Sequence, residues 1–199
     1  MTIATILDDL LPEIGLDKTS PNIADGSFEM DQILALMNAA GEDISRRAEW
    51  SKLYATQTVA GSLSTVALAG DFQRMASTGA VRVNTAAYSP IRVVVAPETW
   101  DFLSTAASSQ TYCHIRGGNL LFSPTLDANG ALVTYLSTYW VGGTATKITA
   151  NTDTLQFPEH LMTRAVVWRW KRQMGLPYDD QIAEFEADLA QAIKSDRGA

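Results

Sequence analysis

The 199-residue chain carries 22 acidic against 15 basic side chains, a net charge of −7, and is 46% hydrophobic. That apolar content supplies the core of one ordinary domain, so neither a disordered chain nor a disulfide-stapled miniature is implied. The acidic balance argues against a protein whose main business is gripping phosphates, and the single cysteine, Cys113, excludes an intrachain disulfide and points to synthesis in a reducing cytosol.

Ile3, Ile6, Leu7, Leu10, Leu11 and Ile14 fall on one helical face, and Gly15 stands at the stop position, which predicts a first helix over 3–14. Asp8, Asp9 and Glu13 interrupt this run, so it lacks the unbroken apolar stretch of a signal peptide. No segment approaches the ~20 apolar residues of a membrane-crossing helix. A turn containing Ser20-Pro21-Asn22 and Asp25-Gly26 follows. Ser27 is then placed as an N-cap, with Glu29 and Asp31 in the first turn, where the helix dipole favours anions. The second helix is expected over 27–53, its stripe formed by Met30, Ile33, Leu34, Met37, Ile44 and Ala48. Gly41 is a weak point inside it, costing on the order of 1 kcal/mol against alanine.

From 55 to 149 the texture changes to β-branched residues, short runs and frequent Gly, Asn, Ser and Pro, the pattern of antiparallel strands joined by turns. Strands are expected at 55–60, 64–68, 75–83, 91–96, 111–116, 119–123, 132–140 and 147–149. Gly117-Gly118 between two of them signals a tight hairpin, because glycine accepts the positive φ angles such a turn requires. Pro97 suits the first position of a short helix over 97–105, packed by Trp100 and Leu103.

After Phe157-Pro158 the spacing predicts a helix over 159–174. Leu161, Ala165 and Trp168 lie on one face and Met162, Val166, Trp170 and Met174 on another, as in a helix packed on two sides. Gly175 and Pro177 break it. Tyr178, Ile182, Phe185, Leu189 and Ile193 form a clean stripe on a last helix whose other faces carry Asp179, Asp180, Glu184, Glu186 and Asp188. Residues 195–199 read as a loose tail. Such a stripe is what a docking arm requires, since a helix in a groove buries i, i+3 and i+7 anchors; it is equally what a core helix looks like. There is no internal repeat, and helices, then strands, then helices read as α+β: a helical bundle from the N- and C-terminal segments with a small central antiparallel sheet.

Little in the chain suggests catalysis. The only histidines are His114, in a strand, and His160, opening a helix; neither has ligand spacing, and no metal or other cofactor is expected. There is no G-x-S-x-G elbow and no phosphate-binding glycine loop, and Cys113 reads as a small buried hydrophobe. A glycoside hydrolase needs only two carboxylates flanking a cleft, which sequence alone does not exclude. Arg164, Arg169, Lys171 and Arg172, with Trp168 and Trp170 between them, are the strongest candidate for reading nucleic acid. Positions 164, 168, 171 and 172 share a side of the helix, however, so charge surrounds a tryptophan rather than forming a phosphate rail. Arginine stems covering rings, or pairing with a neighbouring subunit, explain the same letters.

The segments 111–124 and 157–180, together with Asp71-Phe72-Gln73-Arg74-Met75, Pro97-Glu98-Thr99-Trp100 and Tyr135-Leu136-Ser137, occur in an order that resembles the head-to-tail adaptor proteins of tailed bacteriophages and gene transfer agents. The succession carries the resemblance, which spans most of the chain. It implies a structural virion protein, not an enzyme, made in the host cytoplasm and placed in the neck region below the portal. There it would form a ring of about a dozen copies, joining the portal to the next neck or tail component. Genomic DNA would pass through the lumen without specific binding, and an acidic wall would let it slide. No membrane partner is expected. The body is then 1–177, with helices 3–14, 27–53 and 159–174 around the β-rich 55–149, and 178–199 is the arm that meets the portal through Tyr178, Ile182, Phe185, Leu189 and Ile193. Arg164, Lys171 and Arg172 become candidate subunit contacts. A small cell-wall-degrading virion enzyme and another neck protein such as a stopper remain as alternatives.

Overall fold

The structure is a computed structural model that describes residues 2–16, 21–85, 87, 89–106 and 108–197. Ser20 of the expected turn and Gly198 and Ala199 of the expected tail lie outside the described residues. The fold is α+β, with the chain divided into a unit of Met1–Leu53 and Thr138–Ala199 and a unit of Tyr54–Ser137.

The first unit is helical. It contains α1 (Ile3–Glu13), α2 (Phe28–Arg47), α4 (Glu159–Gln173) and α5 (Asp179–Asp196). α4 is the central element and packs against α1, α2 and α5, which is why its sequence is apolar on two faces. α1 ends as expected: Gly15 at φ +78° lets the Leu16 N–H reach the Leu11 carbonyl at 2.9 Å and the Gly15 N–H reach that of Pro12 at 3.2 Å. Ser27 caps α2 through Met30 N–H at 3.4 Å. α2 stops at Arg47 rather than running on to 53, because Ala48 is extended and Trp50 turns back to donate its indole N–H to the Ile44 carbonyl at 2.9 Å. A 3-10 turn, Ser51–Leu53, follows. In α5 the helix continues through Asp196, past the expected start of the tail.

Gly41 is not a weakness. A Cβ there would stand 2.2 Å from the Trp140 ring, so glycine is what allows Trp140 to lie on α2. Trp140, expected to end a strand, sits instead in the following loop and stacks on Phe157 at 5.9 Å; Trp50 meets the other side of the same cluster, 6.2 Å from Phe157. The segment 147–149 is also no strand. Asp153 accepts the Thr149 and Ala150 N–H groups at 2.8 and 2.9 Å, and Asn38 accepts that of Ile148 at 2.8 Å, so side chains satisfy the backbone that a ladder would have paired.

The second unit has two four-stranded sheets rather than one. In the first, β8 (Ala131–Ser137) is flanked by β1 (Tyr54–Val59) on one side and by β3 (Phe72–Met75) and β4 (Val81–Val83) on the other. The expected strand 75–83 is thus two, separated by an exposed excursion at Ser77-Thr78-Gly79. The second sheet runs β2 (Thr65–Ala67), β7 (Asn119–Ser123), β6 (Tyr112–Arg116), β5 (Arg92–Val93). All pairs are antiparallel except β5 with β6. That exception follows from α3 (Pro97–Thr105), which carries the chain back so that β6 starts at the same end as β5. Gly117 and Gly118, at φ +59° and +78°, make the predicted turn between β6 and β7. Residues of both sheets, among them Val59, Val81, Cys113, Leu120, Phe122 and Val133, share one core.

Candidate functional site

The apolar stripe of α5 faces inward. Phe185 and Leu189 are buried, and Tyr178, Ile182 and Ile193 are half-buried. The Phe185 ring lies 6.5 Å from that of Trp168 on α4, and Tyr178 lies 6.4 Å from Trp168. As docking anchors Phe185 and Leu189 are therefore not available on the surface of this chain; they hold α5 against α4 within the helical unit. Outward, α5 offers Ala183, Glu184, Glu186, Ala187 and Ala190.

The basic cluster is largely consumed inside the same unit. Arg164 reaches Glu184 at 2.9 Å and Asp188 at 3.6 Å. Arg169 bonds Asp43 of α2 at 2.8 Å and its own Ala165 carbonyl at 2.9 Å, and its guanidinium lies 4.2 Å from the centre of the Trp168 ring. Burial holds the Arg169 pKa below its ordinary value despite Asp43, with the Arg47 and Arg172 cations adding to the depression. Arg47 joins the network through Asp43 at 3.0 Å and through Glu186. Burial pulls its pKa down, but these two carboxylates together outweigh that and raise it. Arg172 covers Trp168 from 5.6 Å. Neither Lys171 nor Arg172 has an ion-pair partner among the described residues. Of the three candidate contact residues, Arg164 is thus paired with carboxylates within the chain, Arg172 lies over Trp168, and Lys171 is half-buried without an ion-pair partner among the described residues.

Beyond α4, a surface that periodicity did not flag comes into view. Gly175 at φ +68° closes α4 with the same pair of bonds that ends α1, Leu176 N–H to Lys171 at 2.9 Å and Gly175 N–H to Arg172 at 3.2 Å. In this motif the residue after the glycine normally packs on an apolar side chain at the receiving carbonyl. Leu16 has Leu11 there and is half-buried, whereas Leu176 has Lys171 and stays 51% exposed, with Met174 beside it at 46%. Lys171, Leu176, Pro177, Asp179 and Asp180 line a shallow depression of about 480 Å³ at this loop.

In the β unit, Phe72, Arg74, Met75, Val93, Val95 and Ile115 line a mainly apolar groove of about 360 Å³. Val95 is 84% exposed. Gln73, which lines the same groove, has a buried side-chain oxygen without a hydrogen-bond partner among the described residues. The signal for it was in the sequence: three consecutive valines, Val93 to Val95, run into Pro97, so the last cannot be covered by a continuing strand.

The residues that catalysis would use are placed structurally. His114 is buried, its Nδ1 2.8 Å from the Val94 carbonyl oxygen and its ring stacked on Trp100 at 5.2 Å. His160 is exposed. Cys113 is buried in the β core, which pushes its thiol pKa up from 9.0 to about 12 and leaves it protonated at neutral pH. Among the described residues no group of three or more His, Cys, Asp or Glu is placed to hold a metal ion, and no helix is long and apolar enough to cross a membrane.

No individual curated protein matches the chain. The family model of the SU10 adaptor protein matches residues 1–199, in keeping with the resemblance to head-to-tail adaptors over most of the chain, and the chain belongs to this family of structural phage adaptors.

Proposed function

We propose that copies of this chain form a ring, about a dozen strong, that attaches to the portal at one capsid vertex, offers a docking surface to the next neck or tail component, and lines the channel through which the genome leaves. The observation that carries this reading is the family match over residues 1–199. Its physical chemistry is consistent throughout. The net charge is −7, and the arginines of α4, the candidates for gripping phosphate, are held by Glu184, Asp188 and Asp43 or lie over Trp168. A wall of this kind makes few cation–phosphate contacts, so DNA slides past it. The work is mechanical: one ring surface is converted into another.

Burial of Phe185 and Leu189 moves the portal contact away from the α5 stripe, and we assign it to what the 178–199 segment leaves outward, with Lys171 and Arg172, which have no carboxylate partner among the described residues, assigned to a contact between subunits. Imaging of the protein mixed with its portal tests the reading. A ring of added density below the portal is expected; a portal that stays bare at micromolar protein overturns it.

A further inference from the structure

Each unit of the chain carries an apolar surface left open to solvent, and these two are complementary. The groove of the β unit is apolar along Phe72, Met75, Val93 and Val95 and has Arg74 on its lip. Arg74, Arg82, Arg92 and Arg116 are the only cations of Tyr54–Ser137, and none has an ion-pair partner among the described residues. The loop between α4 and α5 has the opposite character. Met174 and Leu176 stand out of it, and Asp179 and Asp180, also unpaired among the described residues, follow directly.

We propose that these surfaces meet between copies: the Met174–Asp180 loop of one chain seats in the β-unit groove of the next, with Leu176 against Val95 and Met75 and with Asp179 or Asp180 opposite Arg74. The occupant is a second copy because both halves belong to one chain, opposite in charge and matched in apolar character. Two different patches in contact make a head-to-tail interface, the kind that closes into a ring when the rotation permits. This deepens the ring reading and rests on it.

The test is thiol cross-linking of Val95→Cys with Leu176→Cys in protein assembled on the portal, using a short bismaleimide; the buried thiol of Cys113 does not compete. The double variant is expected to give a ladder of multimers and each single variant at least tenfold less. In parallel, Arg74→Glu and Asp179→Arg with Asp180→Arg should each reduce ring yield at least tenfold, and a chain carrying all three should recover it. Rings that assemble with no ladder, and charge variants that assemble normally, overturn this contact while the ring reading stands. Failure of the unaltered protein to self-associate, free or on the portal, overturns both.

Discussion

The helical unit and the β unit solve the placement of charge in opposite ways. Tyr54–Ser137 has four arginines against Asp71, Glu98, Asp101 and Asp127, so the whole net charge of −7 falls on the helical unit. Yet it is in the acidic unit that arginines are paired, at Arg46, Arg47, Arg164 and Arg169. Helices bring charges into register every i+4 and line up whole faces across a packed neighbour, so a cation there finds a carboxylate. Short strands bring few carboxylates beside an arginine, and Arg74, Arg92 and Arg116 stay exposed. The lesson is that an unpaired cation in a neutral region says more about partners than a dense basic run on a helix.

Removing 178–199 bears most strongly on this contrast. Two fully buried side chains, Phe185 and Leu189, are lost at about 1.5–3 kcal/mol each, and Trp168 is bared. At about 2–4 °C per kcal/mol for a chain of this size, the melting temperature should fall by about 6–24 °C, or no cooperative transition should remain. An unchanged thermal transition followed by circular dichroism would restore the segment to the role of an independent arm.

In the β unit, Gly130→Ala and Gly118→Ala separate backbone strain from collision. Both positions have positive φ, costing alanine about 1–2 kcal/mol. At Gly118 nothing stands within 4 Å, whereas at Gly130 a Cβ would meet the Val59 carbonyl oxygen at 2.1 Å. Urea unfolding should therefore show the larger loss for Gly130→Ala, and equal losses would argue that this close approach is not kept in solution.

Gly41→Ala asks the same of the helical unit. Helix propensity favours alanine by about 1 kcal/mol, but overpacking against Trp140 costs about 1–3 kcal/mol, so a net destabilisation of up to about 2 kcal/mol is expected. In a Trp140→Ala background the sign should reverse. A double-mutant cycle showing no coupling would remove the ring from its place on α2.

Cys113 gives the β unit a pH response. Its thiol is held protonated in the fold, with the pKa raised from 9.0 to about 12 by burial. Between those values the unfolded chain releases a proton that the folded chain keeps, so stability is intact below pH 9 and declines as pH rises toward 12. The urea midpoint should fall over this range, and the fall should be weaker in Cys113→Val. Smallest of all is Arg164→Gln: its pairs with Glu184 and Asp188 are about half exposed, and such surface bridges contribute about 0.2–1 kcal/mol. A loss above that range would show that the α4–α5 contact leans on charge rather than on Phe185.

Much of the architecture was legible because it depends on local chemistry. The stops at Gly15 and Gly175, the cap at Ser27, Pro97 at a helix start and the Gly117-Gly118 turn are all positions where one residue type satisfies a backbone requirement. The split of 75–83 into two strands was not legible, since it rests on how β8 pairs on either side of an excursion. For the candidate site, periodicity identified the α5 stripe correctly but not which neighbour covers it. Arg164 and Arg169 looked available because their carboxylate partners lie 20 and 126 residues away.

The amino-acid sequence by itself determined the helices, most of the strands and their order, the apolar stripe of each helix, and through its whole length the adaptor family. These follow from spacing and from the conformational limits of glycine and proline, which act over a few residues. Only the tertiary structure decided that Gly41 makes room for Trp140, that the stripe of α5 is core, and that Leu176, Met174 and Val95 are left uncovered. Burial is set by which faces meet across the chain, and a pattern read along one helix carries no information about what stands opposite it.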